Sequence, residues 1–258
     1  MNPDGSGKQT LSSFIAGSSV EYPRYSPDGT RIVFDASDPT NHPTSSYDIY
    51  SMTSTGAHMK RLTTDTSSYD DWGGSFSPNG RKIAFISDRG GNFDVWTMNA
   101  DGTNPQQVTT TANAEYTSWS PDGHWILFDS DLSGTSEIYR VQPDGSHQKA
   151  LTSLPFTGSN ADWSPNGNLI TFSGSKTGGA SNVWVMNADG THRHQVTTGT
   201  SNDYNTVWSP DGNWIAFDRT PFGSKGVRLI MKVRADGTGL DPLTGTSSNN
   251  ADPGWQPT

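Results

Sequence analysis

The residues of this sequence that could do chemistry are carboxylates that recur a few positions ahead of a repeated aromatic motif. Aromatic side chains accompany several of them. The candidate set consists of Glu21, Asp71, Trp72, Glu115, Tyr116, Asp162, Asp203, Tyr204 and Asp252. Carboxylates gathered in a ring concentrate negative potential, which attracts a cation or a basic segment of a partner. The set predicts a binding site if the fold brings its members together, and an ordinary solvated rim if it does not.

Trp72 differs from the other tryptophans because it lies outside the repeated positions that the rest occupy. An indole that the repeat does not use can stack on a flat ligand face, such as that of a sugar ring. The acidic residues favour a protein or peptide partner for this site, and Trp72 makes a glycan the alternative.

No catalytic motif accompanies these residues. The sequence lacks a Gly-x-Ser-x-Gly elbow, a Gly-x-x-x-x-Gly-Lys phosphate loop and a His-Glu-x-x-His metal motif. It also has no cysteine, which excludes a thiolate metal site and a cysteine nucleophile. We expect a protein that binds rather than catalyses.

One segment resembles the start of a calcium-binding loop. Asp129 and Asp131 stand two positions apart in Asp-Ser-Asp-Leu-Ser-Gly, with the oxygen spacing that such loops use. The terminal glutamate that completes the loop is missing. We expect no cofactor, with Ca²⁺ at Asp129 and Asp131 as the alternative.

Charge and composition restrict the class of partner. The 258 residues include 17 basic and 26 acidic side chains, for a net charge of −9, which argues against a nucleic-acid surface because phosphate binding needs clustered lysine and arginine. No apolar stretch approaches the roughly 18 residues of a membrane span, so we expect no membrane insertion. Nine tryptophans, eight tyrosines and ten phenylalanines predict a folded chain.

The elements that must position the candidate residues form an internal repeat. An aromatic residue followed by Ser-Pro-Asp/Asn-Gly occurs five times, and a sixth copy begins at Trp255. The motif prolines are spaced 43 to 51 residues apart, at Pro27, Pro78, Pro121, Pro165, Pro210 and Pro257. Each unit contains four apolar runs separated by Gly-containing turns, which predicts four short strands, A to D. Four antiparallel strands per unit are typical of a β-propeller blade.

The prediction is an all-β, single-domain propeller over residues 1–258. In such a ring the A–B and C–D turns share one face, and the D–A and B–C loops surround the channel mouth on the other. The candidate carboxylates fall in the D–A loops. The predicted blades cover about 19–65, 70–110, 114–153, 158–198 and 203–245, with a partial sixth blade that takes strand D from 1–13 and strand A from 250–258.

Two interpretations of the chain ends remain open at this point. The first is a six-bladed propeller shortened at its start, and the second is a five-bladed or open ring with spare end strands. Both leave an unpaired strand edge, so both predict possible self-association.

The motifs resemble the repeat of the TolB-type propellers. The resemblance lies in the Ser-Pro-Asp-Gly turn, in the Ser87–Trp96 stretch and in the Met98–Gly102 turn, and it covers nearly the whole chain. It implies a periplasmic or extracellular parent protein and a non-catalytic binding or scaffold propeller that presents an acidic channel mouth to a protein or peptide. Some TolB-like propellers resemble polysaccharide lyases, so a glycan-binding or lyase-like propeller is one alternative. A truncated fragment without independent activity is another.

Overall fold

The computed structural model describes residues 6, 11, 19–37, 46–64, 69–176, 179–221, 227–245 and 251–257. Every regular element among them is a strand, and the twenty strands form five antiparallel sheets of four. Strands follow one another in chain order within each sheet, so each sheet is a meander. The described part of the chain contains no helix that is long and apolar enough to cross a membrane.

The five sheets are the five complete blades that the repeat predicts, which confirms this part of the prediction. The first three contain β1 (Val20–Tyr25), β2 (Arg31–Ser37), β3 (Tyr47–Thr53) and β4 (Lys60–Arg61); β5 (Asp71–Phe76), β6 (Lys82–Ser87), β7 (Asp94–Asn99) and β8 (Gln106–Gln107); and β9 (Ala114–Trp119), β10 (Ile126–Ser130), β11 (Glu137–Val141) and β12 (Lys149–Ala150).

The last two blades contain β13 (Phe156–Trp163), β14 (Leu169–Lys176), β15 (Asn182–Asn187) and β16 (His194–Gln195); and β17 (Asn202–Trp208), β18 (Ile215–Thr220), β19 (Leu229–Val233) and β20 (Asp241–Pro242). The first strands of successive blades contact one another, so they line the central channel.

The Ser-Pro-Asp-Gly motif is explained by the hydrogen bonds of its turn. In the first blade the Ser26 hydroxyl accepts the Arg31 N–H at 2.9 Å and donates to Asp28 at 2.6 Å. Gly29 has φ +66°, which a residue with a side chain rarely adopts. The hydrogen bonds from Ser26 and Thr30 lower the pKa of Asp28 to about 2. The motif carboxylates therefore hold turns and do not form a site.

The recurrent Leu-Thr and Val-Thr pairs join the third strand of each blade to the fourth. Thr109 Oγ1 accepts the Val95 N–H and donates to Asp94 Oδ1, both at 2.9 Å. Equivalent threonines accept the same strand N–H in the other blades: Thr63, Thr152, Thr197 and Thr244. Since these groups are buried, each threonine satisfies a donor that water cannot reach.

The core is divided among the interfaces between blades. A phenylalanine at one repeated position of the second strand is at most 1% exposed in every blade: Phe34, Phe85, Phe128, Phe172 and Phe217. Burial of each ring contributes about 1.5 to 3 kcal/mol. The second and third blades illustrate the arrangement, because Ile86 and Val95 of one pack in a single cluster with Ile126 and Phe128 of the other. A hydrophobic fraction of only 30% is enough to form this core because the core is divided into thin layers between neighbouring blades.

The predicted sixth blade remains a prediction. Its amino-terminal strand lies outside the described residues except for Ser6 and Leu11, and residues 251–257 form no strand. This segment nevertheless contacts blades on both sides, since Asn205 Nδ2 donates to Asp252 Oδ1 at 2.6 Å and Arg24 Nη1 donates to the Pro253 carbonyl at 3.0 Å. It thus bridges the fifth blade and the first. The structure of a single chain does not test self-association, which also stays a prediction.

We predict that Thr109→Val destabilises the protein by about 1 to 3 kcal/mol, because it leaves the buried Val95 N–H and the Asp94 carboxylate without their shared partner. Chemical denaturation followed by tryptophan fluorescence measures the change. Thr110→Val is the matched control, since Thr110 is exposed, and it should change the free energy of unfolding by less than about 0.5 kcal/mol. Equal effects of the two substitutions would refute the structural role of the Thr109 hydroxyl.

Candidate functional site

A cavity of about 410 Å³ opens at the channel mouth of the first blades. Its volume falls within the range of small-ligand pockets. Four lining residues carry carboxyl groups, four are aromatic, and the lining includes no lysine, arginine or histidine. The lining residues are Glu21, Tyr22, Asp35, Tyr47, Asp70, Trp72, Glu115, Tyr116 and Asn160. The site is therefore acidic and aromatic.

A left-handed residue in each inner strand shapes the channel wall. It lies three positions before the motif aromatic in every blade, at Tyr22, Gly73, Tyr116, Asn160 and Asn205. The pairing with the second strand shifts its register next to this residue in all five sheets, so each is a β-bulge. Bulges re-aim side chains and recur beside binding sites. Asp252 holds the corresponding position before Trp255 and has φ +55°.

Gly73 lies against the third blade. A Cβ added to Gly73 would lie 3.4 Å from the Tyr116 Cα, an ordinary van der Waals contact, so its left-handed φ of +64° and not lack of space favours glycine here. The Tyr22 and Tyr116 rings pack edge to face with their centroids 5.6 Å apart. The Arg24 guanidinium lies 5.2 Å from the Tyr116 ring centroid. These contacts join the first and third blades in front of the second.

Buried carboxylates hold two of the bulges from the preceding blade. Asp35 Oδ1 accepts the Gly73 N–H at 3.1 Å, and Asp129 Oδ2 accepts the Asn160 N–H at 2.6 Å. Asp218 holds the same position of the fifth blade, with Nη1 of Arg228 3.7 Å from its Oδ2. Burial raises the pKa of Asp35 and of Asp129 well above the usual range. Burial, followed by the charge of Asp252, raises the pKa of Asp218 to about 6.

The structure brings four of the sequence-predicted residues together in the cavity. Glu21, Trp72, Glu115 and Tyr116 all line it. Trp72 is backed by Phe93, with ring centroids 4.5 Å apart, which restrains the indole plane.

Two predicted acids form buried ion pairs instead. Arg89 Nη2 lies 2.8 and 2.7 Å from the two Asp71 oxygens, and Arg219 holds both Asp203 oxygens at 2.7 and 2.8 Å. Both acid side chains are fully buried. These carboxylates tie the inner strands to Arg89 in the loop after β6 and to Arg219 in β18, and they lie outside the cavity lining.

The remaining predicted mouth residues also lie outside the cavity lining. Asp162 is half-buried, accepts hydrogen bonds from Ser118 Oγ at 2.8 Å and from the Trp208 N–H at 2.9 Å, and has a pKa raised by desolvation. Asp252 bonds Asn205, and Tyr204 is half-buried in β17.

The calcium candidates have separate partners. Asp129 caps the fourth-blade bulge, whereas Asp131 accepts a hydrogen bond from the Asn113 amide. No group of three or more histidines, aspartates or glutamates that could hold a metal ion occurs in the described ranges.

Sequence reasoning missed Tyr22, Asp35 and Tyr47. Two of them carried a signal in the repeat, since Tyr22 occupies the same offset from the motif aromatic as Tyr116, and the Phe-Asp pair of Asp35 recurs at Asp129 and Asp218. Tyr47 donates from its hydroxyl to Glu21 at 3.1 Å, a contact that no local pattern marks.

Comparison with known proteins gives a family match over nearly the whole chain. The family model described as the TolB beta propeller domain matches residues 5–118 and 110–257. The solved structure of putative TolB from Agrobacterium tumefaciens is 20% identical, with a TM-score of 0.77 over 93% of this chain and 87% of that chain. TolB from Acinetobacter baumannii is also 20% identical, with a TM-score of 0.76 over 93% of this chain but only 58% of that chain.

More distant folds are functionally diverse. A chain of the nidogen–laminin complex is 11% identical, with a TM-score of 0.68 over 86% of this chain and 78% of that chain. An oligogalacturonate lyase in complex with manganese is 15% identical, with a TM-score of 0.60 over 88% of this chain and 66% of that chain. At these identities the similarity shows the fold alone.

We predict that Asp218→Asn stabilises the protein more at pH 7.5 than at pH 4.5. Asp218 keeps its proton in the folded state up to about pH 6 but loses it near pH 4 when unfolded. The favourable contribution of the protonated Asp218 side chain to the free energy of folding is therefore present in acid and is lost as pH rises through 6. The melting temperature of the variant relative to the wild type should rise between pH 4.5 and pH 7.5. Exposed Asp241→Asn should show no such rise, and a pH-independent effect at Asp218 would contradict the assignment.

Proposed function

Because this chain belongs to the TolB β-propeller family, we propose that it is a non-catalytic binding module whose mouth cavity receives a basic segment of a protein or peptide. The observation that carries the proposal is the lining of the cavity, in which carboxylates and aromatic rings occur without a basic side chain. We place this interaction in the periplasm or outside the cell, as the family resemblance implies.

The arrangement of the carboxylates favours a cationic ligand. Glu21 comes from the first blade, Asp70 from the loop before the second, and Glu115 from the third. Acids from separate blades that face one cavity reinforce the same potential, and low-dielectric walls strengthen it. Complementary charge of this kind raises the rate of encounter and selects among partners.

The size of the cavity supports a protruding segment as the ligand. A volume of about 410 Å³ holds one or two side chains, whereas a flat interface between domains needs no cavity. Trp72 and the tyrosines provide aromatic faces on which a cation gains about 0.5 to 2 kcal/mol. A basic residue inserted from a loop or chain end would use both the aromatic walls and the acids.

The lining does not favour a lyase. Cleavage of an acidic glycan requires a base and a cation that neutralises the substrate carboxylate. The residues that line this cavity supply carboxylates, which repel such a substrate.

We predict that the combined variant Glu21→Gln, Asp70→Asn and Glu115→Gln binds a capped lysine-rich peptide at least tenfold more weakly than the wild type. The loss follows because each exposed ion pair contributes up to about 1 kcal/mol, so three lost pairs can exceed the roughly 1.4 kcal/mol of a tenfold change. Isothermal titration calorimetry at about 0.15 M salt measures the dissociation constants.

The control carries the same charge change on the opposite face: Asp101→Asn, Asp144→Asn and Asp236→Asn in the C–D turns. Asparagine already replaces aspartate before the turn glycine in two A–B turns, at Asn79 and Asn166. This control should therefore fold and bind normally. Unchanged peptide binding by the cavity variant would refute the proposal. Binding of a neutral oligosaccharide that depends on Trp72 but not on the three acids would favour the glycan alternative.

A further inference from the structure

The floor of the mouth cavity contains two buried polar atoms that have no hydrogen-bond partner among the described residues. They are Oδ2 of Asp35 and the hydroxyl of Tyr116, and both residues line the cavity. Asp35 is 1% exposed and Tyr116 is 5% exposed. A buried polar group without a partner is costly, and in native proteins it commonly marks a place where a ligand or water belongs.

The Asp35 carboxyl group is fixed in place by its other oxygen. Oδ1 accepts the N–H of Gly73 at 3.1 Å, which leaves Oδ2 as the oxygen without a partner. Gly73 has no side chain that could cover this oxygen. The Tyr116 ring is held between Tyr22 and Arg24, which fixes the direction of its hydroxyl group. Each of the two atoms can accept a hydrogen bond from a bound donor.

We propose that this floor recognises a primary ammonium group, that of a partner's lysine side chain, through hydrogen bonds to Asp35 and Tyr116. The proposal rests on the proposed function and specifies the ligand group of that same site. The aromatic faces of Trp72 and Tyr22 would enclose the alkyl stem, and Glu21 and Glu115 at the rim would attract the cation as it enters.

The geometry separates a primary ammonium from the other cations. A trimethylated ammonium has no N–H group, so it would leave both buried acceptors unsatisfied. A guanidinium binds best as a fork across both oxygens of a carboxylate, and Asp35 offers only one. An ammonium is a compact charge with three donors that needs no such fork.

Binding of a cation at this position is coupled to the ionisation of Asp35. Burial raises its pKa, and the carboxylates of Glu21 and Asp252 add to the effect, while Arg24 and the Gly73 N–H oppose it. A bound ammonium stabilises the ionised carboxylate and so releases a proton from Asp35. Calorimetry in buffers of different ionisation enthalpy detects that proton.

The test compares four capped peptides that differ only at a central residue: lysine, trimethyllysine, arginine or norleucine, each flanked by glycine and serine. The wild type should bind the lysine peptide at least tenfold more tightly than the other three. Asp35→Asn keeps an acceptor for Gly73 but faces the ligand with an amide, and Tyr116→Phe removes only the hydroxyl group. Each should weaken lysine binding at least tenfold, and Asp35→Asn should also abolish proton release.

Asp218→Asn is the matched control, because Asp218 holds the same repeated position in the fifth blade but does not line the cavity. It should bind the lysine peptide like the wild type. If Asp35→Asn unfolds, Tyr116→Phe still decides the question.

The pattern of failure separates this inference from the proposed function. Equal binding of lysine, arginine and trimethyllysine peptides, or unchanged lysine binding in both floor variants, would overturn the ammonium site while the rim acids still account for basic-peptide binding. Failure of the wild type to bind any cationic peptide would overturn both.

Discussion

The left-handed residue three positions before each motif aromatic is the constraint on which the binding face of this propeller depends. It forms a β-bulge at the same position of every inner strand. At Gly73 and Asn160 the backbone N–H of the bulge residue points to the preceding blade. Where the preceding blade supplies an aspartate, as at Asp35 and Asp129, the N–H is bonded directly. A left-handed non-glycine residue costs about 1 to 3 kcal/mol, so its recurrence in successive blades indicates that the surrounding contacts repay that cost.

The same repeated position contributes directly to the cavity. Tyr22, Tyr116 and Asn160, from the first, third and fourth blades, all line it. The Tyr22 and Tyr116 rings pack edge to face, whereas Asn205 of the fifth blade is not part of the lining. A ring of similar blades thus carries an asymmetric cavity, because the residues at one repeated position differ.

The acidity of the chain divides into groups with different physical roles. Turn aspartates such as Asp28 are exposed and bonded to neighbouring hydroxyls and backbone groups. Asp71 and Asp203 are buried against arginines, which offset their charge. Asp35 is buried with one oxygen unsatisfied, while Glu115 is exposed at the cavity. Only the acids that face the cavity can act on a ligand, so the net charge of −9 by itself says little about partners.

The sequence by itself determined the propeller, because the repeat is local: each turn needs its own Ser, Asp and Gly, and each strand needs its own alternation of apolar residues. It also placed Glu21, Trp72, Glu115 and Tyr116 at the mouth, since the D–A loops of any such ring meet there. Tertiary structure alone decided which of the loop acids reach the cavity. Asp71 begins β5 and Glu115 lies near the start of β9, yet Asp71 is buried against Arg89 whereas Glu115 is exposed at the cavity. Asp35 became part of the site only through Gly73 of the next blade, a contact between residues 38 positions apart that no local pattern encodes.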